Sequence, residues 1–263
     1  MRTIFLKLGG SLITDKDKPY TPRLEIIRSI GQQIQQALKS SAPMHLLIGH
    51  GSGSFGHAAA KNAGYINGKP ITFKPKDFQS VWIAAHHLNR IILDEFNQLS
   101  LPVMPFPPSA AIESNGKNIV RWDIAPIISA LNQGFLPIIF GDAVLDSELG
   151  GVIYSTEELF LYLAEKINPE LILLAGKEKG VWADFPHNKQ LLSELSEKKF
   201  SELRASINSS NSTDVTGGMR KKVELMFHVR KLRPDTKIYI FSGEAQQAIF
   251  LSLTSTPFGT SIK

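Results

Sequence analysis

The sequence predicts an α/β fold in which helices cover both faces of a mostly parallel β-sheet. Two observations support this. Continuous apolar runs alternate with amphipathic segments along the 263 residues, and several of the apolar runs end in glycine-containing turns. Short apolar strands of this kind are typical of parallel sheets that are buried on both faces. Such sheets bind ligands at the carboxyl ends of their strands, so we expect the functional site among the glycine turns.

The predicted elements follow one another in strand–helix order. The first strand is TIFLKL (3–8), which stops at Gly-Gly, and the first long helix covers 23–40 with apolar residues near the helical period. Further strands are predicted at 44–50, 101–106, 136–142, 171–176 and 237–243, and further helices at 78–99, 124–134, 156–167 and 216–232.

Composition excludes several classes of protein. The chain has no cysteine, which excludes a disulfide scaffold, a thiolate metal site and a cysteine nucleophile. Its net charge is +5, but the basic residues are scattered, so a small anionic ligand is favoured over nucleic acid. The N-terminal MRTIFLKLGG lacks the features of a signal peptide, and no run reaches the roughly 18 apolar residues of a membrane span. We therefore expect a cytoplasmic location and no membrane partner.

Two glycine-rich turns follow predicted strands. In KLGGS (7–11), glycine lets backbone N–H groups approach an anion while the lysine side chain reaches past the turn, although a plain tight turn fits equally well. The second turn, HGSGSFGH (50–57), contains the pattern GxGxxG. No acidic residue stands about 20 positions later at a strand end, so this is not a dinucleotide-binding fingerprint.

A third glycine pair begins a predicted helix in TGGMRKK. Gly217 and Gly218 place free N–H groups and the positive end of the helix dipole at the start of that helix. Lys222 is four residues after Gly218 and shares its face, so the segment predicts a phosphate site with a counter-charge. Arg220 and Lys221 are expected to point elsewhere, into solvent.

Together, these segments resemble the amino acid kinase superfamily. KLGGSLITDK (7–16), HGSGSFGH (50–57), Gly-Asp at 141–142 and DVTGGMRKK (214–222) stand in the order and spacing of that superfamily, and more closely those of isopentenyl phosphate kinases. The histidine that closes GSFGH is the most specific of these features. The resemblance implies an open αβα sandwich with one continuous sheet, in which residues 1–165 bind the acceptor phosphate and residues 166–263 bind ATP.

The resemblance also implies a reaction and roles for individual residues. ATP, with Mg²⁺, would phosphorylate isopentenyl phosphate to isopentenyl diphosphate, a step of isoprenoid precursor synthesis, and the enzyme would be a homodimer. Such a transfer requires positioning and positive charge. Lys7 would bridge the two phosphates, Lys16 would stabilise the transferred phosphoryl group, and Lys222 would hold the ATP phosphates. Asp142 would orient the lysines, and His57 would hydrogen-bond the acceptor phosphate.

The same resemblance indicates which residues surround each substrate. The backbone N–H groups of residues 51–56 are expected to cradle the acceptor phosphate. The residues expected to bind ATP are Lys7, Gly9, Gly10, Ser11, Gly53, Lys177, Gly180, Gly217, Gly218 and Lys222. Those expected to bind the acceptor are Ser52, Gly56, His57 and Thr156. The apolar wall candidates, each of which equally fits an ordinary core position, are Phe73, Phe78, Trp82, Ile83, Phe106 and Ile139.

The chain departs from the family pattern in three places. Ser52 replaces a glycine, the family's Ser-Gly-Asp is Ser-Thr-Glu at 155–157, and two acidic positions of the nucleotide side are Lys177 and Lys179. Two alternatives therefore stay open from sequence. One is a kinase of another small phosphate or phosphonate, of the fosfomycin type, and the other is a non-catalytic nucleotide-binding sensor on the same fold.

Overall fold

A computed structural model describes residues 1–185, 187–207, 216–255 and 257–263 of the chain. Its strands are β1 (Arg2–Leu8), β2 (Met44–His50), β3 (Tyr65–Ile66), β4 (Lys69–Pro70), β5 (Val103–Pro105), β6 (Ile112–Asn115), β7 (Asn118–Trp122), β8 (Leu136–Phe140), β9 (Asp142–Asp146), β10 (Gly150–Tyr154), β11 (Leu171–Gly176), β12 (Glu194–Leu195), β13 (Lys237–Ser242) and β14 (Thr260–Ile262). Its helices are α1 (Gly10–Ile13), α2 (Leu24–Ser40), α3 (Gly53–Asn62), α4 (Pro75–Gln98), α5 (Ala125–Asn132), α6 (Thr156–Ile167), α7 (Glu197–Ile207), α8 (Thr216–Leu232) and α9 (Ala248–Thr254).

The predicted α/β architecture is confirmed. Eight strands form one sheet in the order β12-β14-β13-β11-β1-β2-β8-β5, and all neighbours are parallel except β13 and β14. Helices α2, α4 and α9 cover one face, while α5, α6 and α8 cover the other. None of the helices in the described residues combines the length and apolarity that crossing a bilayer requires.

The structure also contains two small sheets that the sequence analysis did not predict. Strands β10-β9-β6-β7 form a four-stranded sheet, and β3 and β4 form a two-stranded hairpin. The predicted strand over 136–142 ends at Phe140, because the chain leaves the large sheet at Gly141 and continues as β9 of the smaller one. Both small sheets lie beside the carboxyl ends of β2 and β8, where the sequence places the site.

The second glycine turn is shorter than predicted. Residues 51 and 52 have no regular structure, but Gly53 begins α3, so GSFGH forms the first turns of a helix rather than a loop. Helix α4 begins at Pro75, three residues before its predicted start, and proline suits the first turn of a helix because its missing N–H has no partner there.

Candidate active site

A single cavity of about 1080 Å³ runs along the carboxyl ends of the central strands. Of the residues that the sequence predicts for the site, the following line it: Lys7, Gly9, Gly10, Ser11, Lys16, Ser52, Gly53, Gly56, His57, Asp142, Thr156, Lys177, Gly180, Gly218 and Lys222. Gly217 lies beside Gly218 in the first turn of α8, and residues 214 and 215 of that motif lie outside the described residues.

Lys7 is buried because of the two-residue period of β1. Ile4, Leu6 and Leu8 point into the core on the α2 and α4 side, whereas Phe5 belongs to the opposite core. Lys7 therefore shares the face of Phe5, and it stands at the end of the strand with only 6% of its surface exposed. A buried ammonium group requires a partner, and the carboxylate of Glu157 on α6 supplies it through an ion pair.

The first two glycine turns meet each other. A Cβ added to Gly10 would lie 2.5 Å from the Cα of Gly53, and one added to Gly9 would lie 2.9 Å from the carbonyl oxygen of Ala175. The N–H of Gly9 donates to that same oxygen at 2.7 Å. Glycine is thus required at these positions because two backbones pass each other too closely for a side chain.

Most N–H groups of residues 51–56 already donate within the protein, which corrects the expected cradle. The N–H of Gly51 donates to the Leu8 carbonyl, that of Ser54 to the Thr14 hydroxyl, and those of Phe55 and Gly56 to the Ser52 carbonyl. Within the described residues, four N–H groups at this junction have no protein acceptor. They belong to Gly10, Ser11, Ser52 and Gly53.

Ser52 is accommodated without backbone strain. It has φ −77° and ψ −8°, a conformation open to any residue, and Gly53 is the residue with a positive φ of 49°. A Cβ on Gly56 would lie 2.1 Å from the Ser52 hydroxyl oxygen, so the serine side chain fills the space beside Gly56. The glycine that the family pattern has at position 52 is therefore not needed for the turn.

His57 lies on α3 at the solvent-accessible rim of the cavity. The protein packed around its ring and the positive charges of Lys16 and Lys7 lower the pKa of His57 below its usual value. The unliganded protein therefore favours neutral imidazole at neutral pH, and a bound anion would oppose this shift by favouring the charged form.

Helix α8 brings Lys222 to the same cavity. Burial, followed by the positive charge of Lys7, lowers the pKa of Lys222 to about 8, and Glu157 acts in the opposite direction. Among the described residues, none forms an ion pair with Lys222. A Cβ on Gly218 would meet no atom of the described residues within 4 Å, so that part of the chain leaves space beside the start of α8.

The neighbours of Lys222 on α8 are partly exposed to solvent, as expected, but both also form ion pairs. Lys221 forms an ion pair with Glu158 at 3.0 Å, and Arg220 forms one with Glu224 at 3.1 Å. Both Lys221 and Arg220 line the cavity. The first turn of α6 carries the partner of Lys221, so these two helix starts are tied together.

The carboxylate beside the lysines is Glu157, which the sequence analysis did not assign to this role. Burial alone would raise the pKa of Glu157, but Lys7 and then Lys222 hold it below its usual value. The carboxylate of Asp142, expected to orient the lysines, instead accepts the N–H groups of Ser109 at 3.0 Å and Ala143 at 2.8 Å.

Asp142 has a third neighbour in the ring of His86, whose Nε2 lies 3.4 Å from its carboxylate. Its carboxylate contacts thus come from the backbone and from α4, and the expected contact with the lysines is corrected. Glu157 stands in the sequence as the last residue of Ser-Thr-Glu at a predicted helix start. Its side chain is long enough to reach Lys7, but that contact depends on how α6 packs against β1, which the sequence does not show.

Thr156 lines the cavity, but its hydroxyl donates a hydrogen bond to another protein group. The hydroxyl donates to the His50 carbonyl at 2.6 Å, and the contact of Thr156 with an acceptor phosphate stays a prediction. His50 itself is fully buried, and its ring stacks on Phe140 and lies 3.1 Å from the side-chain oxygen of Asn89. Burial lowers the pKa of His50 to about 4, so it is a neutral structural residue of this strand end.

None of the six residues predicted for the apolar wall lines this cavity. Ile139 is fully buried inside the core, and Trp82 stacks on His86 and donates its indole N–H to Ser109. Phe73 and Phe78 pack on the turn that begins β10, where a Cβ on Gly150 would lie 2.4 Å from the Phe73 ring. Phe106 packs against the second core, and Ile83 is half exposed on α4.

The cavity instead has two apolar ends, one on each side of the lysines. Beyond His57, the β3–β4 hairpin, α4 and β10 form a chamber, which we call the acceptor chamber, lined by Tyr65, Ile66, Ile71, Val81, Ala85, Ile153 and Tyr154. Beyond Lys222, the second apolar end is lined by Val181, Trp182, Phe185, Phe200, Met219 and Ile240, with Lys177 and Gly180 beside it. The six-residue span of β3 and β4 gives no strand signal in the sequence, so the sequence does not predict the first chamber.

The glutamate carboxylates of the cavity are engaged by other protein groups, which bears on how a metal could be held. No group of three potential metal-binding side chains exists within the described residues. Glu157 is paired with Lys7, Glu158 with Lys117 and Lys221, and the Glu178 carboxylate accepts the Trp182 indole N–H at 2.9 Å. This donor set fits a metal that is held by the phosphates of a nucleotide, and not one held by a cage of protein ligands.

Comparison with known proteins identifies one family throughout. Residues 2–242 match the model of the amino acid kinase family. The isopentenyl phosphate kinase of Methanocaldococcus jannaschii is 31% identical over 98% of this chain and 97% of its own length. That of Arabidopsis thaliana is 26% identical over 89% of this chain and 85% of its own length. A crystal structure described as isopentenyl phosphate kinase superimposes over the full length of both chains with a TM-score of 0.80 at 26% identity.

Proposed function

Since the chain belongs to the amino acid kinase family and groups there with isopentenyl phosphate kinases, we propose that it transfers the γ-phosphoryl group of ATP to isopentenyl phosphate. The products are isopentenyl diphosphate and ADP. The observation that carries this proposal is the convergence of Lys7, Lys16, Lys222 and His57 on one cavity with an apolar chamber at each end. The chamber next to His57 accommodates an alkenyl tail, and the chamber next to Lys222 accommodates a nucleobase.

The geometry suits an acceptor that is itself a phosphate. A phosphate monoester has a second pKa near 6, so its attacking oxygen already carries negative charge at neutral pH and needs no general base. Consistent with this, the cavity carboxylates closest to the lysines are engaged in pairs, as Glu157 is with Lys7. The protein's task is to hold two anions in line and to compensate their charge.

The backbone N–H groups without a protein acceptor and the charged side chains of the cavity are assigned to different parts of the substrates. The N–H groups of Gly10, Ser11, Ser52 and Gly53 lie at the junction of the two glycine turns, between the chambers. We assign them to the oxygens of the phosphates that meet there, and His57 to the non-transferred phosphate of the acceptor. Residues 1–165 would then supply the acceptor side and residues 166–263 most of the nucleotide side.

Lysine charge is the main catalytic contribution in this proposal. Lys7 between the phosphates, Lys16 near the transferred group and Lys222 at the ATP phosphates stabilise the charge that spreads over the phosphoryl oxygens in the transition state. Glu157 fixes Lys7 and offsets part of the cationic charge until both substrates are bound. Mg²⁺ bound with the nucleotide would supply further charge neutralisation. A homodimer stays a prediction from the family resemblance, and a cytoplasmic location stays a prediction from the sequence.

A coupled assay of ADP release tests the proposal with three acceptors. We expect turnover with isopentenyl phosphate, weaker turnover with dimethylallyl phosphate, and none with fosfomycin. Turnover with fosfomycin alone would support the phosphonate alternative. Binding of ATP without turnover of any of the three would support the non-catalytic alternative, and either result would overturn the proposal.

A further inference from the structure

Lys117 is a buried lysine of the cavity that the reaction does not use. It occupies the turn between β6 and β7, and its side chain is 10% exposed. Its ammonium group donates to the carbonyl oxygens of Asn67 and Ile153, both at 2.8 Å, and lies 3.4 Å from the Glu158 carboxylate. These three partners match the three hydrogens of an ammonium group, so Lys117 has none left for a substrate phosphate.

The backbone at Lys117 is fixed as firmly as the side chain. Lys117 has a positive φ of 67°, which is unfavourable for a lysine. Its N–H and that of Gly116 donate to the buried carboxylate of Asp146 at 2.9 and 3.0 Å. Burial alone would raise the pKa of Asp146, but the hydrogen bond from Ser114 and those from Lys117 and other N–H groups lower it to about 2, so Asp146 remains an ionised acceptor.

The partner of Lys117 is the tip of the β3–β4 hairpin. Each of these strands has two residues, and an isolated two-stranded hairpin is marginally stable at best. Two contacts attach the tip to β10: the N–H of Ile153 donates to the Gly68 carbonyl at 2.7 Å, and Lys117 joins Asn67 to Ile153. The same hairpin carries Tyr65 and Ile66 of the acceptor chamber.

We propose that Lys117 is a positioning residue for the acceptor: it clasps the β3–β4 hairpin to β10 and thereby fixes the wall that selects the length of the alkenyl tail. The inference rests on the proposed function, because it assigns the acceptor to this chamber. The Glu158 carboxylate continues the link to Lys221 on α8, so the clasp joins the acceptor wall to the nucleotide side.

Steady-state kinetics of Lys117→Met test this assignment. Loss of the ammonium group leaves the Asn67 and Ile153 carbonyls without their donor, so the hairpin tip keeps the hydrogen bond between the Gly68 carbonyl and the Ile153 N–H but is held less firmly. We expect KM for isopentenyl phosphate to rise roughly tenfold, with kcat within about threefold of wild type and KM for ATP unchanged. The ratio of kcat/KM for the ten-carbon geranyl phosphate over that for isopentenyl phosphate should increase.

Two further variants complete the experiment. Lys69→Met removes an exposed lysine from the same hairpin and should leave all these parameters at wild-type values. Gly68→Ala disturbs the same contact from the hairpin, because its Cβ would lie 2.2 Å from the Lys117 ammonium nitrogen and 2.4 Å from the Ile153 carbonyl oxygen, and Gly68 has a positive φ of 77° that strains alanine. It should therefore raise KM for isopentenyl phosphate at least as much as Lys117→Met does. If Lys117→Met does not yield folded protein, a wild-type acceptor KM together with a wild-type geranyl-to-isopentenyl ratio in Gly68→Ala would still overturn the inference.

Three results would overturn the inference. They are an unchanged acceptor KM with an unchanged geranyl-to-isopentenyl ratio, an equal rise of both KM values, or a fall of kcat on the scale of Lys7→Ala. The last of these would place Lys117 on the transferred group. Failure of the proposed function is distinguishable, since the wild-type protein would then not turn over isopentenyl phosphate at all.

Discussion

The two ends of the cavity differ in how their polar groups are satisfied. On the acceptor side, Lys117 and Asp146 have protein partners for most of their hydrogen-bonding capacity, and they hold the chamber together before a substrate arrives. On the proposed nucleotide side, Lys222 has no ion-pair partner and the space beside Gly218 contains no atom within the described part of the chain. In the proposed arrangement, the acceptor end is preorganised by protein contacts, whereas the nucleotide end relies on the ligand to pair the charge of Lys222.

This difference explains why the same residue type has opposite roles at the two ends. Burial lowers the pKa of both lysines, but Lys117 donates to two carbonyl oxygens and lies beside the Glu158 carboxylate. Lys222 has a pKa lowered to about 8 because burial and Lys7 disfavour its charge, and no ion-pair partner is found for it in the described residues. Binding of an anion reverses that penalty and so favours the charged lysine. A lysine that the protein leaves unpaired is therefore one that the substrate is expected to pair.

Removing a lysine at the centre should have the largest effect. We expect Lys7→Ala and Lys222→Ala each to lower kcat by a factor on the order of 10² or more, because each removes charge that matters most in the transition state. Steady-state rates at saturating ATP and isopentenyl phosphate measure this.

The matched control is Lys18→Ala. Lys18 is on the same loop as Lys16, its side chain is 74% exposed, and it should keep the wild-type rate. Circular dichroism establishes that the Lys7→Ala protein is folded, since this change leaves Glu157 buried without its partner. Near-wild-type turnover in Lys7→Ala or Lys222→Ala would remove that lysine from the mechanism.

Loss of His57 should act on the acceptor alone. A hydrogen bond to a charged group contributes about 1.5–3 kcal/mol, so His57→Ala should lower kcat/KM for isopentenyl phosphate roughly 10- to 150-fold. His57→Gln keeps a donor and should lose less. Because the free-protein pKa of His57 is lowered, wild-type kcat/KM should fall as pH rises through a value below 6.5, and His57→Gln should lack that decline.

The comparison between wild type and His57→Gln must use one substrate, since the acceptor phosphate itself titrates near pH 6. KM for ATP is the internal control and should not change in either variant. If His57→Ala binds and turns over isopentenyl phosphate as wild type does, then His57 is a bystander at the cavity rim and the acceptor chamber loses its phosphate contact.

These central residues are also the ones that the sequence predicts well. Lys7, Lys16, His57 and Lys222 follow glycine turns at strand ends or helix starts, and parallel strands bring such ends to one edge. The large sheet was predictable for the same reason, because its strands are continuous apolar runs.

The parts that the sequence does not reveal depend on packing between distant segments. Ile139 is an apolar residue on a strand that is buried on both faces. The two-residue alternation of a strand does not show which of its faces borders a cavity and which borders the core. The β3–β4 hairpin is too short to give a strand signal, and Asp142 contacts His86 and Ser109 only because α4 packs beside β9. Glu157 was visible solely as a departure from a motif.

The pH dependence of ATP use should distinguish the nucleotide end from the acceptor end. Lys222 has a pKa near 8 in the free protein and must be charged to pair phosphate, so kcat/KM for ATP should fall as pH rises above 8, by about tenfold at pH 9. Lys222→Arg keeps its charge throughout this range and should shift the decline to higher pH. An identical decline in Lys222→Arg and wild type would assign it to another group.

The smallest expected effect belongs to Ser52. Its hydroxyl lies beside Gly56 at the junction of the glycine turns, on the acceptor side, and its backbone does not require glycine. Since a neutral hydrogen bond contributes about 0.5–1.5 kcal/mol, loss of this hydroxyl in Ser52→Gly should raise KM for isopentenyl phosphate by roughly two- to tenfold while KM for ATP stays constant.

Ser52→Ala separates the two properties of the residue, because it removes the hydroxyl and keeps the restricted backbone. If both variants raise the acceptor KM equally, the hydroxyl contacts the acceptor phosphate. If the change falls on KM for ATP instead, the second glycine turn serves the nucleotide, and the division of the cavity into acceptor and nucleotide ends has to be redrawn at this residue.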